Sequence, residues 1–164
     1  GAPSCGLISL RTQITMEIIS SDCILSADEM AIIHEQAFTE ERPWTSEEFE
    51  NLISQSSTRS LAIARCFVLG RFILGELEIL TFACAPLDRR QGYASALLLK
   101  LLAMASREGG HSAFLEVAAD NLAAIALYNK FAFEQVGCRT NYYKRRDGTR
   151  CDALTLRKQP ITSQ

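Results

Sequence analysis

The stretch that decides the fold is RRQGYAS, Arg89–Ser95, followed directly by ALLLKLLAMASRE, Ala96–Glu108. The second run is too long and too rich in Leu and Ala for a strand, so a helix is expected from Gly92 to Glu108, ending at Gly109–Gly110. A strand is expected just before it, over Glu76–Ala85. A glycine turn between a strand and a helix leaves the first backbone N–H groups of the helix free, and such groups can bind an anion.

Periodicity and capping residues predict the other elements. Ser26 with Glu29, and Thr45 with Glu48, form capping-box patterns. One helix is therefore expected over Ala27–Phe38, and a second, short helix is expected to begin at Thr45 and end at about Ile53. Another helix is expected over Asn121–Lys130. The remaining strands are expected at Thr15–Ile19, Leu61–Ala64, Cys66–Leu69, Ala113–Val117, Phe133–Arg139 and Ala153–Arg157, the last two joined by a polar loop with a turn at Asp147–Gly148.

Length, composition and charge limit the possible classes of protein. The 164 residues, 48% of them hydrophobic, suffice for one packed core, so residues 16–164 are interpreted as a single domain. Residues 1–15 are interpreted as an N-terminal extension, natural or added, because Met16 is a plausible start. A formal charge of −2 argues against a general nucleic-acid binder, and the absence of an apolar run of about 18 residues argues against a membrane span.

The six cysteines are far apart, without a CxxC pair, and only His34 and His111 could join them in a metal site. Zinc sites need Cys and His at short spacing, so no metal is expected. In a domain with its own core, such cysteines are most simply interpreted as reduced, small apolar residues. This interpretation favours the cytoplasm.

Charge is distributed unevenly along the chain. Acidic residues crowd Glu40–Glu50, and basic residues crowd Lys144–Arg150. The simplest interpretation of both clusters is solvated surface. The acidic cluster could also attract a basic peptide.

Four features could carry chemistry, and each has a structural alternative. The Arg89–Ser95 loop could bind a phosphate or be an ordinary turn with a solvated arginine pair. Glu116, between buried neighbours in a strand, could be a general base in a cleft or an acid that faces water. Tyr128 could donate a proton or belong to the core, and Asn121 could contact a ligand or only cap a helix.

The motifs together resemble a known family. Arg89-x-x-Gly92-x-Ala94 matches the Q/R-x-x-G-x-G/A signature of the GCN5-related (GNAT) N-acetyltransferases, at the expected place between a strand and a helix. Phe114-Leu115-Glu116-Val117, Asn121-x-x-Ala124-Ile125-Ala126-Leu127-Tyr128 and Asn141-Tyr142-Tyr143 resemble the ribosomal-protein-alanine N-acetyltransferases of the RimI type. Pro43-Trp44-Thr45 and Asp147-Gly148 are also similar, so that the likeness runs from about residue 16 to 158.

The resemblance implies a fold and an activity. The fold would be the GNAT fold, of the α/β (α+β) class, in which a mixed, mostly antiparallel central sheet of about seven strands is flanked by about four helices. The activity would be transfer of an acetyl group from acetyl-CoA, without a metal, to a protein N-terminus by direct attack in a ternary complex. The acceptor would be the N-terminal alanine of a small-subunit ribosomal protein. The alternatives are a GNAT enzyme acting on a small-molecule amine or a lysine side chain, and a non-catalytic acyl-CoA-binding module.

The resemblance also implies residue roles. Glu116 would accept a proton and Tyr128 would donate one. The acetyl and pantetheine part of the cofactor would contact the backbone of Phe82, Ala83 and Cys84. The remaining cofactor contacts would be Arg89, Arg90, Gln91, Gly92, Tyr93, Ala94, Ser95 and Asn121.

Two departures from the family pattern carry structural expectations. Ala132 stands where relatives have a glycine, so a left-handed backbone there would be strained. Leu99 and Ala105 make the long helix unusually apolar, which indicates a buried face or a partner.

Overall fold

The computed structural model describes residues 24–162. The strand expected at Thr15–Ile19 and the extension expected at residues 1–15 lie outside them. Within the described residues the chain forms four α-helices, as expected: α1 (Ala27–Ala37), α2 (Ser46–Ile53), α3 (Tyr93–Arg107) and α4 (Leu122–Lys130). A short 3₁₀ turn covers Pro86–Asp88. The strands are β1 (Thr58–Ile63), β2 (Cys66–Ile73), β3 (Glu76–Cys84), β4 (Ser112–Ala118), β5 (Glu134–Lys144) and β6 (Arg150–Lys158).

One six-stranded sheet contains all of these strands, in the order β1-β2-β3-β4-β6-β5. Every neighbouring pair is antiparallel except β3 and β4, which are parallel. The mixed, mostly antiparallel sheet is therefore confirmed. The described residues hold six of the roughly seven expected strands.

The first two helices begin where their capping residues predict. Ser26 Oγ accepts a hydrogen bond from the Glu29 N–H at 3.2 Å, and the Glu29 carboxylate accepts one from the Ser26 N–H at 2.7 Å, which confirms the first capping box. Only half of the second box is present. Thr45 Oγ1 accepts from the Glu48 N–H at 3.2 Å, but the Glu48 carboxylate pairs with Arg42. A guanidinium forms the stronger, charge-assisted bond and so competes successfully with the backbone N–H.

Helices cover both faces of the sheet. On one face Leu97, Leu98 and Leu101 of α3 pack with Leu77 and Leu115 of the central strands, and Tyr128 of α4 joins this cluster. On the other face Met30 and Ile33 of α1 and Phe49 of α2 pack against Phe67, Leu69 and Ala83. Successive β2 residues belong to opposite clusters, so that strand is buried on both sides.

The long helix α3 has 15 residues and forms most of one layer. Ala105 is buried in the core, which agrees with a buried face, whereas Leu99 is 42% exposed. No helix within residues 24–162 is long and apolar enough to cross a bilayer.

The β5–β6 hairpin is longer than the sequence indicates. Asn141-Tyr142-Tyr143 was expected in a polar loop but lies in β5, which continues to Lys144. The strand is mostly exposed and forms an edge of the sheet, so it lacks the alternation of polar and apolar residues that identifies a half-buried strand. Its pairing with β6 is irregular between Arg139 and Tyr143.

The expectation that the cysteines are reduced is wrong for one pair. Cys66 and Cys84 form a disulfide between β2 and β3. The two residues are direct partners in the strand register, with Cα atoms 4.0 Å apart. The sequence did not predict this pairing, because the separation of 18 residues does not show which residues lie opposite each other. The register of the hairpin decides that. Cys138 and Cys151 are free.

Candidate active site

A gap opens in the middle of the sheet, at the carboxyl ends of its two parallel strands. β3 and β4 pair only over Glu76–Ile79 and Ser112–Leu115. Beyond these residues β3 pairs with β2 alone and β4 with β6 alone. We call this the strand gap, bounded by Leu80–Cys84 of β3 and Glu116–Ala118 of β4. Ligands of α/β sheets bind outside the carboxyl ends of parallel strands, so the strand gap is the first candidate site.

A β-bulge marks the place where the two strands separate. Leu69 pairs with Thr81 and Gly70 with Ile79, which leaves Leu80 as the extra residue in β3. A bulge ends regular pairing and reverses which face the following side chains occupy. Accordingly Leu77 and Ile79 face the α3 layer before the bulge, and Phe82 and Cys84 face it afterwards. The backbone of Phe82–Cys84 therefore borders the strand gap without a hydrogen-bonded neighbour in β4.

The start of α3 lies beside the strand gap, because only the 3₁₀ turn and a short loop separate it from β3. Gly92 caps the helix with a left-handed backbone (φ 79°), and no side chain of residues 24–162 caps it by a hydrogen bond. The first helical bond is donated by Ala96 to the Gly92 carbonyl, at 3.2 Å. The N–H groups of Tyr93, Ala94 and Ser95 therefore point out of the helix start, where the helix dipole favours an anion.

The loop before α3 leaves room for a ligand. Apart from its chain neighbours and the backbone of its own helix, no atom of residues 24–162 lies within 4 Å of a Cβ built on Gly92. Arg89, Arg90 and Gln91 are exposed, and Arg90 also has a left-handed backbone (φ 63°). Asp88 could repel an anion, but its carboxylate accepts hydrogen bonds from the Arg65 side chain and backbone, which lower the pKa of Asp88. This pairing compensates the negative charge nearest to the loop.

Glu116 is the first residue of β4 after its pairing with β3 ends. Leu115 and Val117 are buried, whereas the Glu116 side chain is 30% exposed, as the alternation along a strand predicts. Its Oε1 lies 3.0 Å from Nε of Arg139 in β5. The carboxylate thus borders the strand gap and is paired with a cation.

Tyr128 is placed in the core by α4, with 4% of its surface exposed. Its ring packs edge-on against Phe133, with centroids 5.5 Å apart. Burial raises the pKa of Tyr128 well above its ordinary value, so the phenol stays protonated at neutral pH. The core interpretation is confirmed, and a neutral phenol is also the form that can donate a proton.

Asn121 caps α4, as its structural interpretation predicts. Its Oδ1 accepts a hydrogen bond from the Ala124 N–H at 3.2 Å. Because α4 follows β4 directly, this helix start lies at the same edge of the sheet as the start of α3. The side-chain amide N–H groups of Asn121 are not used in capping.

Residues of the α1–α2 loop and of the β5–β6 hairpin form a second group near Glu116. The sequence patterns did not predict that these residues come together. Burial and, to a smaller extent, the nearby carboxylates of Glu41 and Glu116 raise the pKa of Tyr143 to about 12. Tyr143 of β5 therefore lies within electrostatic reach of both an acid of the α1–α2 loop and the acid of the strand gap. Arg145 pairs with Glu41 at 2.6 Å, so the expectation that both charge clusters are solvated surface is wrong for these two residues.

Within residues 24–162 no three His, Cys, Asp or Glu side chains come together in a way that could hold a metal ion.

Comparison with known proteins identifies the family. The model of the acetyltransferase (GNAT) family matches residues 28–133. The chain is 32% identical over 146 residues to a ribosomal protein bS18-alanine N-acetyltransferase of Escherichia coli K12, which covers 86% of this chain and 96% of that protein. It is 30% identical over 141 residues to the N-alpha-acetyltransferase RimI of Mycobacterium tuberculosis H37Rv, which covers 80% of this chain and 85% of that protein.

The fold agrees with the same family. The crystal structure of the ribosomal-protein-S18-alanine N-acetyltransferase from Escherichia coli superimposes with a TM-score of 0.75 at 27% identity, covering 84% of this chain and 90% of that chain. The match of the family model therefore agrees with two features of the structure. These are the sheet with its strand gap and the glycine-capped start of α3. This chain belongs to the GNAT family and is an acetyl-CoA-dependent N-acetyltransferase.

Proposed function

We propose that this enzyme acetylates the α-amino group of a protein N-terminus, and that its acceptor is the N-terminal alanine of a small-subunit ribosomal protein. The observation that carries the proposal is the strand gap, which has the free N–H groups of α3 at one end and Glu116 on its β4 side. The names of the two similar enzymes, which act on ribosomal protein bS18 and on α-amino groups, support the choice of acceptor.

Acetyl-CoA would lie along the strand gap. Its diphosphate would accept hydrogen bonds from the backbone N–H groups of the Arg89–Ser95 loop, with the two arginines adding positive charge. The pantetheine arm would follow the backbone of Phe82–Cys84 as an additional strand, because those backbone groups have no partner in β4. Asn121 would supply a further polar contact from the start of α4.

The chemistry is direct attack of a neutral amine on the thioester carbonyl. The new N–C bond forms as the C–S bond breaks, Glu116 takes the proton from the amine nitrogen, and Tyr128 protonates the departing thiolate. Backbone N–H groups near Phe82–Cys84 would stabilise the negative charge on the carbonyl oxygen.

An α-amino group suits such a site better than a lysine. The ordinary pKa of an α-amino group is about 7.7–8.0, against about 10.4 for lysine. The difference of roughly 2.5 units corresponds to about 3.4 kcal/mol more for deprotonating a lysine at neutral pH. A site with one partly exposed carboxylate as its base therefore favours the N-terminus.

The surface around the site has the charge to attract a basic peptide. Glu40, Glu47 and Glu50 are exposed near the α1–α2 loop, and none of them forms a salt bridge within the described residues. An acidic surface raises the local concentration of a basic segment and speeds its association.

The acceptor can be tested with three substrates of matched charge. One is a basic peptide with a free N-terminal alanine, the second is the same peptide with a blocked N-terminus and an internal lysine, and the third is a polyamine. We expect one added acetyl group, located on the α-amine of the first peptide by fragmentation mass spectrometry. Faster acetylation of the lysine peptide or the polyamine would contradict the proposal and support a GNAT enzyme for side-chain or small-molecule amines. Acetyl-CoA binding without turnover of any acceptor would support a binding module.

We place the enzyme in the cytoplasm, where ribosomal proteins are made and assembled. The Cys66–Cys84 disulfide removes the cysteine argument for a reducing compartment, so this location rests on the acceptor.

A further inference from the structure

One arginine joins three separate segments beside the candidate site. Arg145 donates through Nη1 to the Glu41 carboxylate at 2.6 Å and through Nη2 to the Asp120 carboxylate at 2.5 Å. Glu41 belongs to the α1–α2 loop, Asp120 to the β4–α4 loop and Arg145 to the tip of the β5–β6 hairpin. We call this set of contacts the Arg145 bridge. Its members are 104 and 25 residues apart in sequence.

The Arg145–Glu41 part of the bridge is sheltered, whereas the Asp120 side chain is 61% exposed. The Arg145 side chain is 11% exposed, whereas Lys144 and Arg146 are exposed. Its guanidinium also lies 5.9 Å from the centre of the Tyr143 ring. Charge pairs that are withdrawn from water and held in a fixed geometry contribute far more than ordinary surface pairs.

The hairpin tip holds Arg145 in place independently of the bridge. The Arg145 N–H donates to the Thr149 carbonyl at 2.8 Å, and Asp147 accepts hydrogen bonds from the Thr149 N–H and hydroxyl. The C-terminal part of the α1–α2 loop is held to the helices, since the Trp44 N–H donates to His34 Nδ1 at 3.3 Å. Its acidic part is attached to the hairpin, through Glu41 to Arg145 and through the Glu40 carbonyl, which accepts from the Arg146 N–H at 3.1 Å. The position of Glu40 and Glu41 therefore depends on these contacts with the hairpin.

The residues of the Arg145 bridge also lie near residues that adjoin Glu116. Tyr143 experiences the charges of both Glu41 and Glu116, and its ring lies 5.9 Å from the Arg145 guanidinium, so the tethered loop and the acid of the strand gap both lie near one phenol. Asp120 immediately precedes Asn121, the cap of α4 at the same sheet edge. The Arg145 bridge thus lies beside Tyr143, the hairpin residue that adjoins both Glu41 and Glu116.

From this arrangement we propose that Arg145 is a positioning residue for the acceptor. It fixes the α1–α2 loop against the hairpin and so forms the wall against which the acceptor chain lies. This inference rests on the proposed function, because it assigns the acceptor to this side of Glu116. Of the bridge residues only Asp120 adjoins a proposed acetyl-CoA contact, Asn121, and Asn121 is held by its own bond to the Ala124 N–H. We therefore expect the bridge to act on the acceptor and not on acetyl-CoA.

The test compares Arg145→Met with Arg42→Met. Arg42 lies in the same loop, but its side chain is 68% exposed, and its contacts among the described residues are the Glu48 carboxylate and the adjacent Pro43 carbonyl. For Arg145→Met we expect faster deuterium exchange of the amides in residues 38–45, a KM for the alanine peptide raised about tenfold, and a dissociation constant for acetyl-CoA within about twofold of the original. Arg42→Met should leave all three values within about twofold.

Two further variants separate positioning from loss of folding or charge. Arg145→Lys keeps the charge but lacks the fork that reaches two carboxylates, so its acceptor KM should also rise. Glu41→Gln should raise the acceptor KM, and adding it to Arg145→Met should cause little further change, because both remove the same contact.

The outcomes distinguish this inference from the proposed function. An unchanged acceptor KM in Arg145→Met, or an equal effect of Arg42→Met, overturns the positioning role. Additive effects of Glu41→Gln and Arg145→Met overturn it as well. If the original enzyme acetylates none of the peptides, the proposed acceptor is wrong. Unchanged exchange of residues 38–45 in Arg145→Met would then show separately that the bridge does not hold the loop.

Discussion

At the scale of single residues, Glu116 and Tyr128 occupy opposite environments that suit opposite tasks. Glu116, the proposed proton acceptor, borders the strand gap, where its side chain is partly exposed and pairs with Arg139. Tyr128 is buried, and burial raises its pKa, so it is present as a phenol that can donate a proton. Both residues are candidates that the sequence predicted for these roles. Arg139, 23 positions from Glu116, was not predicted, because only the pairing of β4 with β6 and of β6 with β5 brings it close.

Glu116→Gln tests the proton acceptor. We expect turnover to fall by about a hundredfold or more, since a positioned general base contributes about 10²–10⁴-fold. The dissociation constant for acetyl-CoA should stay the same, because the diphosphate and pantetheine contacts lie elsewhere. Glu78→Gln is the matched control: Glu78 lies in the neighbouring strand β3 and also pairs with an arginine, Arg71, at 3.4 Å. Steady-state kinetics and calorimetric titration of both variants provide the comparison, and equal turnover in Glu116→Gln and the original enzyme would remove Glu116 from the mechanism.

At the scale of elements, α4 ends in a strained cap. The Phe133 N–H donates to the Tyr128 carbonyl and the Ala132 N–H to the Asn129 carbonyl, both at 3.0 Å, which is the Schellman motif. Ala132 has the left-handed backbone that this motif requires (φ 64°), at a position where glycine is usual. The strain expected from the sequence is therefore present.

Ala132→Gly should stabilise the protein by about 1 kcal/mol, because glycine adopts this backbone without steric cost. Ala126→Gly, an exposed position inside the same helix, should destabilise it by a similar amount, since glycine disfavours helix interiors. Unfolding in urea gives both values. A loss of stability in Ala132→Gly would show that the cap is not strained.

Helix α1 carries a histidine that links stability to pH. His34 lies among the rings of Phe38, Trp44 and Phe49, and its Nδ1 accepts a hydrogen bond from the Trp44 N–H at 3.3 Å. Burial lowers the pKa of His34 to about 4. The unfolded chain, with an ordinary histidine pKa near 6.5, therefore binds more protons than the folded chain between these two values, and stability falls as the pH falls through this window.

The size of this effect can be measured with His34→Gln, which does not titrate at this position. Between pH 7 and pH 5 the original protein should lose about 2 kcal/mol of unfolding free energy more than the variant does. Urea unfolding at several pH values gives the difference between the two proteins, in which contributions from other groups cancel. Parallel curves for the two proteins would mean that His34 is not buried in its neutral form.

Local patterns predicted the elements well where one face of a helix or strand is buried. The Leu-rich run of α3, its glycine start and the alternation around Glu116 all follow from neighbouring residues. The exposed extension of β5 has no such alternation, and the Cys66–Cys84 pair depends on the register of a hairpin. These features follow from tertiary pairing, which periodicity does not report.

At the scale of the whole molecule, the site forms where the sheet stops being continuous. A bulge at Leu80 ends the pairing of β3 with β4, and the starts of α3 and α4 then face the same edge. The proposed diphosphate contacts, Arg89–Ser95, are consecutive in sequence, so a short motif is enough to predict them. The proposed acceptor wall joins Glu41 to Arg145 across 104 residues, and no local pattern contains that contact.

The structure of the enzyme with acetyl-CoA bound tests the central claim most directly. The diphosphate oxygens should lie about 3 Å from the backbone nitrogens at the start of α3, and the thioester should lie between Phe82–Cys84 and Glu116. Electron density that places the diphosphate away from this helix, or the thioester outside the opening between β3 and β4, would contradict the account.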